Sequence, residues 1–218
     1  MMVLALDTAA ADCAVAVYDS DGDRIVAAIS ETIGRGHAER LMAMIDETLV
    51  LAGVTLADLG RIAVTVGPGS FTGIRVGIAA ARGFALALGI PAIGISTLQV
   101  VAETHLSGGT GENVLAAIDA KRGEVFAQAF GPDGAAQSAA AAMTIDEAAA
   151  LAIQFGATVA GSAAPLLSGA GEAAADVYPI AVIARLAARS TAPLEKPKPL
   201  YLRPPSAKPN AGFAVSRM

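Results

Sequence analysis

The densest chemical segment of this 218-residue chain is Gly67-Pro68-Gly69-Ser70-Phe71-Thr72-Gly73-Ile74-Arg75-Val76-Gly77. It joins a predicted strand (residues 62–66) to a predicted helix (residues 74–88). Glycines let a backbone approach a ligand closely, and the free N–H groups of a helix start attract anions. The glycine spacing nevertheless matches neither a phosphate loop ending in Gly-Lys-Ser/Thr nor a dinucleotide fingerprint. On residue chemistry alone the segment reads as a tight turn in which Ser70 and Thr72 cap the following helix.

Other reactive residue types are sparse. Asp7, followed by Thr8, and Asp119 each end a predicted strand, where an aspartate can hold Mg²⁺ or cap a turn; the turn reading is preferred. Cys13 lies in a strand with no base nearby and reads as a small buried apolar residue. The two histidines are far apart: His37 opens the first long helix with local hydrogen bonds, and His105 faces solvent before a Gly-rich loop.

The elements that must position these residues follow from periodicity. Strands are predicted at residues 3–7, 13–18 and 24–31, with a turn at Asp19-Ser20-Asp21-Gly22. Leu41, Met44, Ile45, Leu49 and Ala52 recur at helical spacing over residues 37–51, and Gly53 closes that helix. The helix at 74–88 is apolar nearly all round except for Arg75 and Arg82, so its own domain or a partner buries it on more than one side. A strand at 92–95 follows.

The second half begins again, with strands at 113–119 and 124–130, a turn at 131–134, a helix at 145–155, a strand at 158–160 and a helix at 180–188. Asp7 corresponds to Asp119, Asp12 to Glu124, Tyr18 to Phe130 and Asp21-Gly22 to Asp133-Gly134, each pair 112 residues apart. This repeat predicts two similar α/β lobes, with the third strand and first helix shortened in the second. The expected division is residues 1–105, 106–192 and a basic, Pro-rich tail at 193–218, extended rather than helical.

Composition sets the outer limits. The chain is 54% hydrophobic and 16% charged, which excludes intrinsic disorder, and a single Cys excludes a disulfide scaffold and points to a reducing compartment. The longest apolar stretch, residues 74–95, contains Arg75, Arg82 and Pro91, so no membrane span is expected. Residues 1–184 hold 19 acidic and 8 basic side chains, whereas residues 185–218 hold 7 basic and 1 acidic. An acidic body is a poor surface for nucleic acid; the basic tail reads as solvated, with contact to RNA or to an acidic partner as the alternative.

Four segments together carry a resemblance. The Gly67–Arg75 string, the opening Leu4-Ala5-Leu6-Asp7-Thr8, Gly36-His37-Ala38-Glu39-Arg40-Leu41, and Pro199-Leu200-Tyr201-Leu202-Arg203-Pro204 resemble the signature of the TsaB (YeaZ) family, over nearly the whole chain. Ala38 replaces a usual Ser, and Ala43 stands where Pro is common. The resemblance implies a two-lobed actin-like ATPase fold, related to ribonuclease H-like domains. It also implies a role in making N6-threonylcarbamoyladenosine at position 37 of tRNAs that read ANN codons.

In that pathway the catalytic subunit is TsaD, the ATPase TsaE joins it, and TsaB is TsaD's inactive relative and partner. Judged against a catalytic actin-like ATPase, the nucleotide cradle looks eroded. Asp7-Thr8-Ala9-Ala10-Ala11-Asp12 has no Gly, Asp119-Ala120-Lys121-Arg122-Gly123 has one, and Gly161-Ser162-Ala163-Ala164 lacks the Gly-Gly pair expected for adenosine. Asp7, Thr8 and Asp119 are then vestigial positions. No His-x-x-x-His metal pair is present in the sequence.

The resemblance therefore implies a cytoplasmic partner subunit with no catalytic residue, no metal and no tightly bound cofactor of its own. ATP and metal belong to the partner subunits, and tRNA is contacted only through the complex. The expected interface is the two N-terminal helices, through Leu41, Met42, Ile45, Leu49, Phe71, Arg75, Ile78 and Arg82. It serves TsaD, or a second copy when the chain is isolated. The alternative is a self-sufficient enzyme of the same fold, either a glycoprotease-like metalloprotease or a small ATP-dependent kinase.

Overall fold

The computed structural model describes residues 1–109, 111–191 and 196–203. The expected basic, Pro-rich tail lies outside the described residues beyond residue 203. The first lobe contains β1 (Met2–Asp7), β2 (Asp12–Asp19), β3 (Arg24–Thr32), α1 (His37–Ala52), β4 (Leu59–Gly67), α2 (Phe71–Leu88), β5 (Ala92–Ser96) and α3 (Thr97–Leu106). The second contains β6 (Asn113–Lys121), β7 (Glu124–Phe130), β8 (Ala141–Thr144), α4 (Ile145–Phe155), β9 (Ala157–Ala160) and α5 (Ala164–Leu167), and α6 (Ile180–Arg189) follows.

The sheet orders are β3-β2-β1-β4-β5 and β8-β7-β6-β9. In both, a hairpin-linked antiparallel trio is extended by a parallel strand next to the first strand. The duplicated α/β architecture expected of the actin-like fold is therefore present, with β8 and α4 shorter than β3 and α1. The repeat is not gapless in space. Asp7 pairs with Ala14, but Asp119 pairs with Val125, one position short of the Phe126 that a 112-residue spacing gives. The second hairpin turns more tightly, through Lys121, Arg122 and Gly123, all at positive φ.

Val3 to Leu6 of β1 are consecutive and fully buried. Such a run requires helical cover on both faces, which removes the polar alternation of a half-exposed strand. Helices α1 and α2 pack on the first sheet, and α6 packs on β1, β2, β4 and β5. The main core joins Leu4 and Ile62 of the first sheet with Val114 and Ile118 of the second, through Leu98 of α3 and Ile183 of α6. A smaller core under α4 gathers Leu115 and Val125 with several alanines.

Two features depart from the sequence reading. Helix α6, placed by chain order in the 106–192 lobe, packs on the first sheet, where Arg61 of β4 donates to the carbonyls of Ala187, Ala188 and Ser190 at its C-terminus. His105 is half-buried instead of solvent-facing, and its Nε2 is buried with no hydrogen-bond partner among the described residues. His37 does open α1, with Nε2 3.2 Å from the Asp12 carbonyl.

Candidate functional site

The Gly67–Gly77 segment is built against the β1–β2 turn. The Ser70 N–H donates to the Ala9 carbonyl at 2.7 Å, the Thr8 hydroxyl donates to the Gly73 carbonyl at 2.7 Å, and Ser70 Oγ caps α2 by accepting from Gly73 N. A Cβ on residue 69 would lie 2.4 Å from Ala9 O, and one on residue 73 would lie 1.9 Å from Thr8 O. Two glycines are thus used to seat the chain's own hairpin on the start of α2. The Ala9 carbonyl and Ser70 Oγ take the Ser70 and Gly73 N–H groups, two of the donors at this helix start that could otherwise meet an anion. Ser70 is the cap; Thr72, one of the two expected capping residues, lies exposed within the helix.

Asp7 is buried and occupied. Its Oδ1 accepts from Thr65 Oγ1 at 2.6 Å and from Ala9 N at 3.0 Å, which is the turn-capping role. Burial pushes its carboxyl up to about 6. Asp119 caps the corresponding turn by accepting from Lys121 N at 2.8 Å and pairing with Lys121 Nζ at 2.6 Å, while its own N–H donates to Ser162 Oγ.

The cleft between the lobes is narrowed by residues 174–178. Ala174 N donates to the Ser162 carbonyl, and the Tyr178 ring is buried. What remains is a cavity of about 220 Å³ lined by Val101, Gly161, Ser162, Asp176 and Tyr178 among others. Burial raises the Asp176 carboxyl and the Tyr178 hydroxyl above their ordinary values. Gly161 is explained by packing, since a Cβ there would lie 2.4 Å from Ala117 O and 3.0 Å from Val101 Cγ1. Among the described residues, no group of three His, Cys, Asp or Glu side chains could hold a metal ion.

The outward features lie on α2 and the Lys196–Arg203 segment. Phe71 is 56% exposed and Leu86 is 83% exposed. The Arg75 guanidinium lies 3.6 Å from the centroid of the Phe71 ring and 5.7 Å from that of Tyr201, and its Nε donates to the Tyr201 hydroxyl at 2.8 Å. Leu200 N donates to the Val66 carbonyl, which seats the segment beside β4. Arg203 pairs with Glu124 and lies over the Phe126 ring, reaching the second lobe. Sequence reading named the two motifs separately; only the fold shows that Arg75 and Tyr201 form one cluster.

The comparisons with known proteins fit this geometry. A family model described as TsaD, tRNA N6-adenosine threonylcarbamoyltransferase, matches residues 27–192. Relatives named tRNA threonylcarbamoyladenosine biosynthesis protein TsaB are 42% identical over 126 residues in Escherichia coli and 40% over 127 residues in Haemophilus influenzae. Each match covers 58% of this chain but 53% and 52% of those proteins, so the chain spans about half the length of these relatives. The solved structure of YeaZ from Pseudomonas aeruginosa superposes with a TM-score of 0.75 at 30% identity, covering 92% of this chain and 99% of that one. The chain belongs to the TsaB (YeaZ) family.

The interface residues expected from the TsaB resemblance divide into two groups. Met42, Phe71, Arg75 and Arg82 are exposed. Leu41, Ile45, Leu49 and Ile78 are buried in the main core, which corrects their placement on an outer surface. They form the inward stripes of α1 and α2, and an apolar stripe on a helix over a sheet goes to the sheet. By length and composition α2 could cross a membrane, but in the TsaB fold its inward residues Ile74, Ile78 and Ala81 are core. Cys13 is fully buried, as expected.

Proposed function

We infer that this chain is a non-catalytic partner subunit in the formation of tRNA threonylcarbamoyladenosine, binding a TsaD-type catalytic subunit through the outer faces of α1 and α2. Helix α2 carries this reading. It is an 18-residue apolar helix that leaves Ala79, Gly83 and Leu86 exposed on its outer face, with Phe71 more than half exposed at its start beside Tyr201. Apolar and small side chains on an exposed helix face suit close helix-to-helix contact. The site geometry supports the non-catalytic part, because the Ala9 carbonyl and Ser70 Oγ already take N–H groups at the start of α2 and Asp7 is held by Thr65 and Ala9. On this reading ATP, metal and tRNA are handled by the catalytic subunit and the TsaE-type ATPase in the cytoplasm. The isolated chain pairs with itself through the same face.

The test is co-purification with the TsaD- and TsaE-type proteins of the same organism, coupled to a tRNA modification assay. Wild type should bind and support modification, while Gly83→Leu/Leu86→Glu should fold but lose both. Full binding and modification by that variant would overturn the interface. ATP hydrolysis by the pure chain that is lost in Asp7→Asn would overturn the non-catalytic assignment.

A further inference from the structure

Acidic side chains avoid two stretches of this protein. None of the 20 lies in residues 59–102 or 196–203, which together hold Arg61, Arg75, Arg82, Lys196, Lys198 and Arg203. The fold lays parts of these stretches side by side. The segment at 196–203 runs along α2 in the opposite direction: Lys196 and Pro197 share a groove with Arg82 and Gly89 near the end of the helix, and Tyr201 meets Phe71 and Arg75 at its start. Pro197 is buried, and Gly94 lets it lie close, since a Cβ there would be 3.4 Å from Pro197 Cβ. Lys196 and Lys198, on either side of it, are exposed, as are Arg75 and Arg82. Arg61 is spent on the C-terminus of α6 and Arg203 is engaged by Glu124. The result is a stripe of four exposed cations on acid-free stretches of an otherwise acidic chain.

The stripe also carries the exposed aromatic rings. Among the described residues, Phe71 at 56% and Tyr201 at 49% are the only exposed aromatic side chains. Their centroids are 5.4 Å apart and their planes tilted by 32°, with the Arg75 guanidinium on the Phe71 ring and its Nε on the Tyr201 hydroxyl. These contacts order all three side chains in advance, which lowers the entropic cost of using them. Cations beside exposed rings suit single-stranded nucleic acid, in which phosphates meet the charges and unpaired bases stack on the rings or on a guanidinium plane. An acidic peptide would use the cations and leave the rings idle.

We propose that the flank of α2 beside the Lys196–Arg203 segment is a contact for single-stranded RNA, with phosphates on Arg82, Lys196 and Lys198 and an unpaired base against the Phe71–Tyr201 pair. The choice of RNA rests on the reading above that the chain serves tRNA modification. The contact is auxiliary: four cations on a chain of net charge −5 hold RNA weakly alone and add to the grip of the catalytic subunit.

The test measures binding of an unmodified tRNA that reads ANN codons, from about 50 to 200 mM NaCl, by the isolated chain and by its complex with the TsaD-type subunit. Wild type is compared with Lys196→Glu/Lys198→Glu and Tyr201→Ala, with melting curves confirming that each folds. Four cations give the isolated chain a log–log salt slope of about −3, at about 0.7 for each phosphate neutralised on a single strand. The double reversal should weaken RNA binding tenfold or more and flatten that slope by at least about 1.4. Tyr201→Ala should weaken it several-fold with the slope unchanged, since it removes stacking and no charge. Ultraviolet crosslinks from thiouridine-substituted tRNA should fall on Phe71 or Tyr201, and partner affinity should be unchanged in both variants.

Wild-type RNA binding by the double reversal would overturn the proposal. If the variants lose partner affinity and keep RNA binding, the occupant is an acidic protein surface and the proposal is overturned. If polyphosphate of matched charge competes as well as RNA and Tyr201→Ala is silent, the stripe is a polyanion surface without base contact, which overturns it too. Failure of the wild type to bind the TsaD-type subunit would sink the partner reading instead; RNA binding by the isolated chain, lost on reversal, would still uphold the stripe.

Discussion

The Thr8 hydroxyl donates to the Gly73 carbonyl at 2.7 Å, and the Thr8 carbonyl oxygen lies 1.9 Å from the place a Cβ on residue 73 would take. This two-way contact locks the family signature to the first hairpin. Gly73→Ala must push two backbones apart and should cost about 3 kcal/mol, the upper range for overpacking. Thr8→Val removes one hydrogen bond from a buried carbonyl and should cost about 1–2 kcal/mol. Urea unfolding checks both; an unchanged midpoint for Gly73→Ala would show that the contact does not hold the fold.

Burial separates structural from interface residues on α1. Leu41→Ala or Ile45→Ala should lose about 2–5 kcal/mol, and a glutamate at either position should prevent folding. Met42→Glu, one residue along on the exposed face, should change stability by less than about 0.5 kcal/mol. It should nevertheless weaken partner binding. Thermal melts paired with a pull-down separate the effects, and equal destabilisation by Met42→Glu and Leu41→Glu would contradict the assignment.

Asp7 makes stability depend on pH. Its folded carboxyl, pushed to about 6 from 3.8, keeps its proton to a higher pH than in the unfolded chain. The folded state therefore binds more protons between about pH 4 and 6, and stability falls as pH rises through that window, by roughly 3 kcal/mol at most. Above 6 the full cost is present, and below 4 it is absent. Asp7→Asn keeps an oxygen acceptor for Thr65 and Ala9, so its melting temperature should be flatter from pH 4 to 6 and higher than wild type at pH 7. A parallel pH profile for the two proteins would rule this out.

Cys13 should be inert. It is fully buried and burial raises its thiol to about 11, so little thiolate exists near neutral pH. An aromatic disulfide reagent at pH 8 should react only after denaturant is added, and stoichiometric reaction of the native protein within minutes would show that β2 opens readily.

Much of this was legible in the residues. The apolar runs of β1 and β2, the Asp-Gly turn and the 112-residue repeat led to two lobes with matching strand order. The turn-capping roles of Asp7 and Asp119 were readable because short acidic side chains at strand ends reach the backbone two residues on. Which way a helix faces was not. Periodicity grouped Leu41, Ile45 and Leu49 on one side of α1, but only the sheet beneath shows that this side is the inner one. Helix α3 was missed although Ser96 caps it by accepting from Leu98 N, because its ten residues follow β5 without a break. The one-residue slip in the second hairpin was hidden, since the turn shortens without disturbing the Asp119 spacing.

The docking of α6 on the first sheet also orders events during synthesis. Residues 2–96 supply every strand of that sheet, yet one of its faces, met by α3 only along β4 and β5, stays incompletely covered until Ile183 and Leu186 leave the ribosome. The chain therefore cannot complete its N-terminal half first and its C-terminal half later, as independent domains do. The nascent first sheet must wait, apolar face exposed, for almost the last helix, so both halves should melt in one cooperative transition.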